Sequence, residues 1–184
     1  MVSKKKSAPK TQRQAYGITV LKGVDSRVRA LKREHEPSIH GNKFWSSCWL
    51  VVDFLACQGL PLGVRVTEVG CGWGLAGIFC ARAFGARVVA VDADPEVFPY
   101  LQLHASVNHV EIETVTGRFE DLTAERLTGQ DLLIASDVCF WDEMSEPLFD
   151  LVRRAMGAGV QQVLIADPGR PPFTRMSNRC VEEK

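Results

Sequence analysis

Residues 64–77 read Val-Arg-Val-Thr-Glu-Val-Gly-Cys-Gly-Trp-Gly-Leu-Ala-Gly, and residues 87–92 read Arg-Val-Val-Ala-Val-Asp. The first stretch opens as a β-strand through Val64, Val66 and Val69, then breaks into a glycine turn at Gly70, Gly72 and Gly74. An apolar, Ala/Leu/Ile/Phe-rich segment over 75–84 has the composition and length of a helix. A second strand over 87–91 ends on Asp92. Strand, glycine turn, helix, strand and carboxylate form the first βαβ unit of a parallel sheet that holds a ligand at its carboxyl edge. The glycines let the backbone approach that ligand closely. The helix start adds unpaired N–H groups. Asp92 can accept hydrogen bonds from two ribose hydroxyls. The fold class this predicts is α/β: a three-layer αβα, Rossmann-like sheet, mostly parallel.

Two frames of the same glycines compete. Gly72, Gly74 and Gly77 satisfy G-x-G-x-x-G, the dinucleotide fingerprint, although it begins late relative to the strand. Glu68, Gly70, Gly72 and Gly74 satisfy E-x-G-x-G-x-G, the form seen in S-adenosylmethionine (SAM) methyltransferases. Glu68 separates them. A carboxylate near the end of a buried strand is costly without a partner. A dinucleotide brings a pyrophosphate, which Glu68 would repel. SAM brings a sulfonium and an ammonium, which a carboxylate favours directly or by ordering the turn.

The span 44–173 resembles the class I SAM-dependent methyltransferases, in particular the branch containing protein-lysine and nicotinamide N-methyltransferase-like proteins. The residues carrying the resemblance are Phe44-Trp-Ser-Ser, Glu68-Val-Gly-Cys-Gly-Trp-Gly-Leu-Ala-Gly-Ile, Val91-Asp92 and Ser136-Asp-Val-Cys-Phe. The glycine motif is specific for the superfamily, the flanking motifs are suggestive for the branch, and none names a substrate. The resemblance implies SAM as cofactor, with S-adenosylhomocysteine as product. It implies cofactor contacts from Trp45, Ser46, Glu68, Gly70, Cys71, Gly72, Trp73 and Gly74, and from Asp92, Ala93, Phe119, Glu120 and Asp137. Phe119 stands where the family packs an aromatic on adenine. Arg118 replaces the Asp that often precedes it, so the adenine amino group must find Glu120 or a backbone carbonyl.

The bulk numbers exclude several classes. At 184 residues, 46% apolar and 24% charged, the chain is sized for one globular domain. No apolar run is long enough for a membrane span. The basic start lacks the hydrophobic stretch of a secretory signal. Six cysteines show neither C-x-x-C nor metal-ligand spacing, and Cys48, Cys57 and Cys80 fall in apolar helix patterns. Reduced thiols in a cytoplasmic protein are expected. The zero net charge hides an asymmetry: residues 1–43 hold eleven Lys and Arg against three acids, and the remainder is acidic. We therefore expect a basic N-terminal extension over 1–43, disordered over 1–14 and helical over about 26–36, ahead of a methyltransferase domain over 44–184. A basic leader could contact nucleic acid. Lys4, Lys5 and Lys6 lack interleaved aromatics, so a solvated tail is favoured.

In chain order, 16–21 can form a short strand. Pro37 stops the first helix, and the loop after it carries His40, read either as a contact to cofactor or substrate or as a structural loop histidine. Ser46 or Ser47 caps a helix over 47–58 with Trp45, Trp49, Val52 and Ala56 in its stripe. Asp94 caps the helix after Asp92, with an irregular first turn at Pro99 and His104 at its surface or core edge. A third strand is read over 110–115. A fourth, over 131–135, runs into Ser136-Asp-Val-Cys-Phe-Trp-Asp-Glu.

Asp137 then sits across the sheet's switch point from the glycine turn. We expect it to hold the SAM ammonium or orient an amine acceptor; a helix cap is the alternative. Phe140 and Trp141 can wall an acceptor pocket, since aromatic faces suit a cation. With an amine acceptor, Asp137 or Asp142 could take its proton. No Asn/Asp-Pro-Pro-Tyr/Phe tetrapeptide is present, which disfavours planar amide or adenine nitrogens. The four histidines are scattered, so neither a metal site nor a Ser/His/Asp triad is expected. Arg170 is read as a solvated loop residue, with a substrate-side role as the alternative.

The family usually ends in an antiparallel hairpin that this chain does not reach. A strand over 162–166 would then be an open edge. The expectation is a homodimer, or completion of the sheet by the 18–21 strand. The overall reading is methyl transfer to an amine or other nucleophile on a protein side chain, with three alternatives. These are a small-molecule N-methyltransferase, an NAD(P)-dependent oxidoreductase, and a SAM-binding module without transfer.

Overall fold

A computed structural model describes residues 11–38 and 40–183 of the chain. Strands β1 (Gln12–Ala15) and β2 (Ile18–Leu21) form an antiparallel hairpin. Helices α1 (Ser26–Glu34) and α2 (Cys48–Gln58) lead into the main sheet. There β3 (Arg65–Val69), α3 (Leu75–Phe84) and β4 (Arg87–Asp92) form the expected first unit. A 3₁₀ turn at Pro95–Val97 opens into α4 (Phe98–Val107), so the irregularity anticipated at Pro99 is a change of helix type just before it. Then follow β5 (Glu113–Thr116), α5 (Ala124–Leu127) and β6 (Leu132–Ser136). The rest is α6 (Ser145–Gly157), β7 (Gln162–Ala166) and α7 (Pro171–Glu182).

The five strands β3 to β7 are parallel and lie in the order β5-β4-β3-β6-β7. Alternating side chains serve two apolar layers. Val66, Leu132 and Ile134 face α2, α3 and α4, among Val52, Leu55, Ile78 and Leu101. Val69, Leu133 and Ala135 face α5, α6 and α7, among Leu127, Leu148, Phe149 and Met176. Full burial of side chains such as Leu133, Leu148 and Phe149 stabilises by about 1.5–3 kcal/mol each. The chain steps outward from β3 to β5 and returns at β6. A crevice therefore opens between the carboxyl ends of β3 and β6.

The N-terminal segment departs from expectation. The 1–14 stretch read as disordered contains β1; its first ten residues, with Lys4, Lys5 and Lys6, lie outside the described residues. The hairpin turns on Tyr16 and Gly17, both at positive φ, the signature of a two-residue hairpin loop. It does not complete the main sheet as one reading of 18–21 required. It docks on α4 instead, where the Asn108 side chain accepts from the Thr19 N–H (2.7 Å) and donates to the Thr19 carbonyl (2.8 Å). Leu21 and Val28 pack with Trp73 and Tyr100 in a third apolar cluster, so this part of the 1–43 segment shares a core with the main sheet. His104 is not at the surface. It is fully buried, its Nδ1 bonds the Tyr100 carbonyl at 2.7 Å, and its Nε2 accepts from the Leu21 N–H at 3.2 Å. On α2 the buried face is Cys48, Val51, Val52 and Leu55, and Ala56 is exposed. Neither Ser46 nor Ser47 caps α2 with its side chain. No described helix is long and apolar enough to cross a membrane.

Candidate active site

A cavity of about 370 Å³ fills the crevice at the carboxyl ends of β3, β4 and β6. Its floor is the glycine turn, stitched to β4 by the Cys71 N–H on the Val91 carbonyl (3.1 Å). Gly72 has φ +51°, and a Cβ placed on it would meet nothing within 4 Å. That vacant space is what a ligand lying across the turn requires. Gly72 also donates its N–H to Asp92 Oδ2 (2.9 Å), while Asp92 Oδ1 accepts from the Asp94 N–H (3.0 Å). Two backbone amides thus aim the Asp92 carboxylate. Burial still raises its pKa from the ordinary value, with the amide bonds opposing.

Glu68 resolves the two glycine frames. Its side chain is buried against the start of α3, where Oε2 accepts the Gly77 N–H at 2.9 Å. A Cβ on Gly77 would lie 2.6 Å from Glu68 Oε2 and 2.9 Å from Val88 Cγ1. The third glycine of G-x-G-x-x-G therefore makes room for a carboxylate and a strand. The helix-start amide that would serve a pyrophosphate is already bound to an acid. Burial pushes the Glu68 carboxyl up to about 8, offset in part by the Gly77 and Ala76 amides. Cys71, also lining the cavity, has its thiol held well above its ordinary value by burial and the nearby acids.

Across the crevice Asp137 is buried and sits at φ +58°, a left-handed conformation uncommon for a non-glycine residue. Its N–H is held by the Ala166 carbonyl at 2.9 Å. Oδ2 accepts from the Ser47 N–H at the start of α2 (3.3 Å), and Oδ1 pairs with Arg170 Nη2. The cap reading is thus partly right, but the capped helix is α2, ninety residues earlier. Arg170 is not a solvated loop residue: it bridges Asp137 and Asp167 (2.9 Å) and lies 5.2 Å over the Phe140 ring. Two more arginines of α7 repeat the pattern, Arg175 on Asp142 and Arg179 on Glu146. Asp142, considered above as a proton acceptor, is exposed and paired there and does not line the cavity.

The mouth is aromatic. His40 packs edge-on to Trp45 (5.7 Å) and Phe140 (5.6 Å) and lies 6.1 Å from Trp141. The far rim carries Phe119 and Glu120. Phe119 both lines the cavity and packs on the core, and its carbonyl accepts from Arg154 Nη2 at 2.6 Å. Of the residues singled out by sequence, Trp45, Glu68, the turn 70–74, Asp92, Ala93, Phe119, Glu120, Asp137, Phe140 and Trp141 all border this one cavity. Ser46 does not: it is exposed, and its carbonyl accepts from the Trp49 N–H. Trp73 contributes from the turn, but its ring is buried away, stacked on Tyr100 (5.4 Å) and His104 (5.0 Å). The sequence reading named Arg170 but favoured a solvated loop residue, because its second partner, Asp137, lies 33 positions away; the Ser47 N–H and the role of Val138 against Gly70 carry no local mark.

The site's donor set suits a cationic nucleoside. Its buried acidic lining residues are Glu68 and Asp137, joined by the half-buried Asp92. SAM fits this set better than a dinucleotide does. Asp92 would hold the ribose, the space over Gly72 would take the nucleoside, Asp137 would face the cationic end, and Glu68 would order the turn.

A family model described as "Methyltransferase domain" matches residues 66–159. The electron transfer flavoprotein beta subunit lysine methyltransferase of Xenopus laevis is 28% identical over 73% of this chain and 56% of its own length. A ubiquinone biosynthesis O-methyltransferase of Xanthomonas campestris is 37% identical over 53% of this chain and 39% of its own length. The chain thus spans about half or less of these curated relatives. Among solved structures, the precorrin-6y C5,15-methyltransferase of Geobacter metallireducens superposes with a TM-score of 0.60. It is 10% identical over 82% of this chain and 77% of that one, a likeness of fold.

Proposed function

The chain belongs to the class I SAM-dependent methyltransferase family, and from that premise we propose that it methylates an amine or other nucleophile on a protein side chain. One observation carries the reading: a single cavity joins a nucleoside floor, built from Gly72 and Asp92, to an open aromatic mouth at Trp45, Phe140 and Trp141. SAM, when bound, supplies an electrophilic methyl group on a good leaving group. The protein's remaining tasks are to position the acceptor and strip its water.

Each lining group has a task in that scheme. Asp92 orients the nucleoside, Glu68 orders the turn from beneath α3, and Phe119 with Glu120 closes the adenine side. Asp137 faces the cationic end, its carboxylate held at fixed orientation by Arg170 and the Ser47 N–H. The aromatic mouth suits the alkyl stem of a protruding side chain, which buries methylenes while its tip reaches inward. The lysine methyltransferase relative supports a protein acceptor, and the O-methyltransferase relative supports a small hydroxylated one.

Calorimetric titration with S-adenosylhomocysteine and with NADH tests the cofactor; binding of NADH alone would sink the reading. Transfer of a tritiated methyl group from SAM into cell lysate, resolved by size, tests the acceptor. Label in a protein band is expected; label confined to small molecules favours the alternative.

A further inference from the structure

We propose that His40 is a catalytic residue of this site, the group that takes the proton from an amine acceptor. This rests on the methyl-transfer reading above. A protonated amine has no lone pair with which to attack, so a proton must leave before the nitrogen is methylated. The buried carboxylates are poorly placed for that. Glu68 is turned onto the Gly77 amide, Asp92 holds the Gly72 and Asp94 amides, and Asp137 is occupied by Arg170 and the Ser47 N–H.

His40 is different in three respects. First, its imidazole stands at the cavity mouth among Trp45, Phe140 and Trp141, and no hydrogen bond to either ring nitrogen is recorded among the described residues. Second, it is held in a strained conformation, φ +52°, uncommon for a non-glycine residue and clustered at functional sites. Third, the strain is maintained by two indoles. Trp45 Nε1 donates to the His40 carbonyl (3.0 Å) and Trp73 Nε1 to the Gly41 carbonyl (2.9 Å). Gly41 has no room for a side chain: its Cβ would lie 2.5 Å from Val97 Cγ1. On the other side, Ser38 donates its N–H to Asp94 Oδ2 at 2.5 Å. A loop tied down at successive carbonyls presents one imidazole to the place an acceptor must pass.

The step balances. An acceptor seated against Trp45 and Phe140 sheds part of its water, which disfavours its ammonium form. One N–H bond of the ammonium breaks, its electron pair stays on nitrogen, and the proton forms a new N–H bond on the imidazole. The imidazolium, at the exposed mouth, returns the proton to solvent. The charged groups facing the ring's surroundings are Lys43, whose Nζ lies 4.2 Å over Trp45, the Arg170–Asp137 pair beside Phe140, the Arg175–Asp142 pair, and Glu143 on the rim.

The test uses an acetylated peptide with a single lysine. His40→Asn keeps a residue that tolerates positive φ but removes the base. We expect kcat on the peptide to fall about 100-fold, with S-adenosylhomocysteine affinity unchanged. Imidazole in the buffer should restore turnover to His40→Gly. Unchanged kcat in His40→Asn overturns the proposal, as does a loss of S-adenosylhomocysteine affinity, which would make His40 a cofactor contact. In wild-type protein labelled with ¹⁵N-histidine and saturated with S-adenosylhomocysteine, the peptide should shift the His40 ring nitrogens. Absence of that shift counts against His40 even if the wild type proves inactive, whereas a shift without turnover counts against the methyl-transfer reading alone.

Discussion

Asp137, on the wall of the cavity, is ion-paired to Arg170: the carboxylate is buried, and the guanidinium also binds Asp167 and covers Phe140. A buried carboxylate that loses its partner bears its desolvation uncompensated. Arg170→Ala should therefore cost about 2–3 kcal/mol, below the roughly 3–5 of a fully buried pair because the guanidinium keeps some water. Arg170→Lys keeps the charge but not the fork that spans two carboxylates, and should fall between. Urea denaturation of the three proteins checks the order. Equal midpoints for Arg170→Ala and wild type would show that the pair contributes nothing.

Gly70 and Gly72 have similar backbones but different surroundings. A Cβ on Gly70 would lie 2.5 Å from Val138 Cγ1, whereas one on Gly72 meets only empty cavity. Both alanine variants carry the left-handed strain of about 1 kcal/mol. Gly70→Ala should lose further stability as Val138 is displaced. Gly72→Ala should lose little more, yet bind S-adenosylhomocysteine at least about tenfold more weakly, because its methyl enters the nucleoside space. Melting curves and calorimetry separate the two effects.

Glu68 gives the site a pH signature. Its folded pKa, about 8, lies above the ordinary value, so its contribution to stability is full below about pH 4.5 and is lost as pH rises through 8. Glu68→Gln keeps an acceptor for the Gly77 N–H and should flatten that fall. A cation bound near Glu68 favours the ionised form. SAM should therefore bind more tightly, relative to S-adenosylhomocysteine, as pH rises toward 8, with proton release. Calorimetry in buffers of different ionisation enthalpy reads the released proton directly.

His104 acts in the opposite direction. Burial lowers its pKa, and the neutral ring is needed because Nε2 accepts from the Leu21 N–H. Its contribution is present above about pH 6.5, the ordinary value for imidazole, and is lost as pH falls toward the depressed folded value. Protection of the Leu21 and hairpin amides against exchange, measured relative to intrinsic rates, should fall below about pH 6.5. His104→Gln should remove that acid dependence while lowering stability at neutral pH.

The order of elements from β3 to β7 was legible because it rests on local patterns. A strand of alternating or continuous apolar residues, a glycine turn, and a helix bounded by caps are all written within a dozen positions. Gly72, Asp92 and Asp137 were placed at the cavity the same way, since strand carboxyl ends converge in a parallel sheet, whereas Phe119 was placed there by the family resemblance. The direction of the Trp73 ring was not legible, and His104 was misplaced, for a complementary reason. An indole beside a glycine turn and a histidine on a helix carry no mark of direction; burial against Tyr100 decides them.

By itself, the sequence determined a parallel α/β sheet with a glycine turn at the carboxyl end of a strand, because strand and helix periodicity and the φ demands of glycine are properties of neighbouring residues. Only the tertiary structure decided that Glu68 turns under α3, that Arg170 binds Asp137, that β2 docks on Asn108, and that His40 stands in an aromatic mouth. Apart from Glu68, those relationships join residues dozens of positions apart. They arise from the requirement that buried polar groups find partners and buried faces find volume, which only the packed molecule can satisfy.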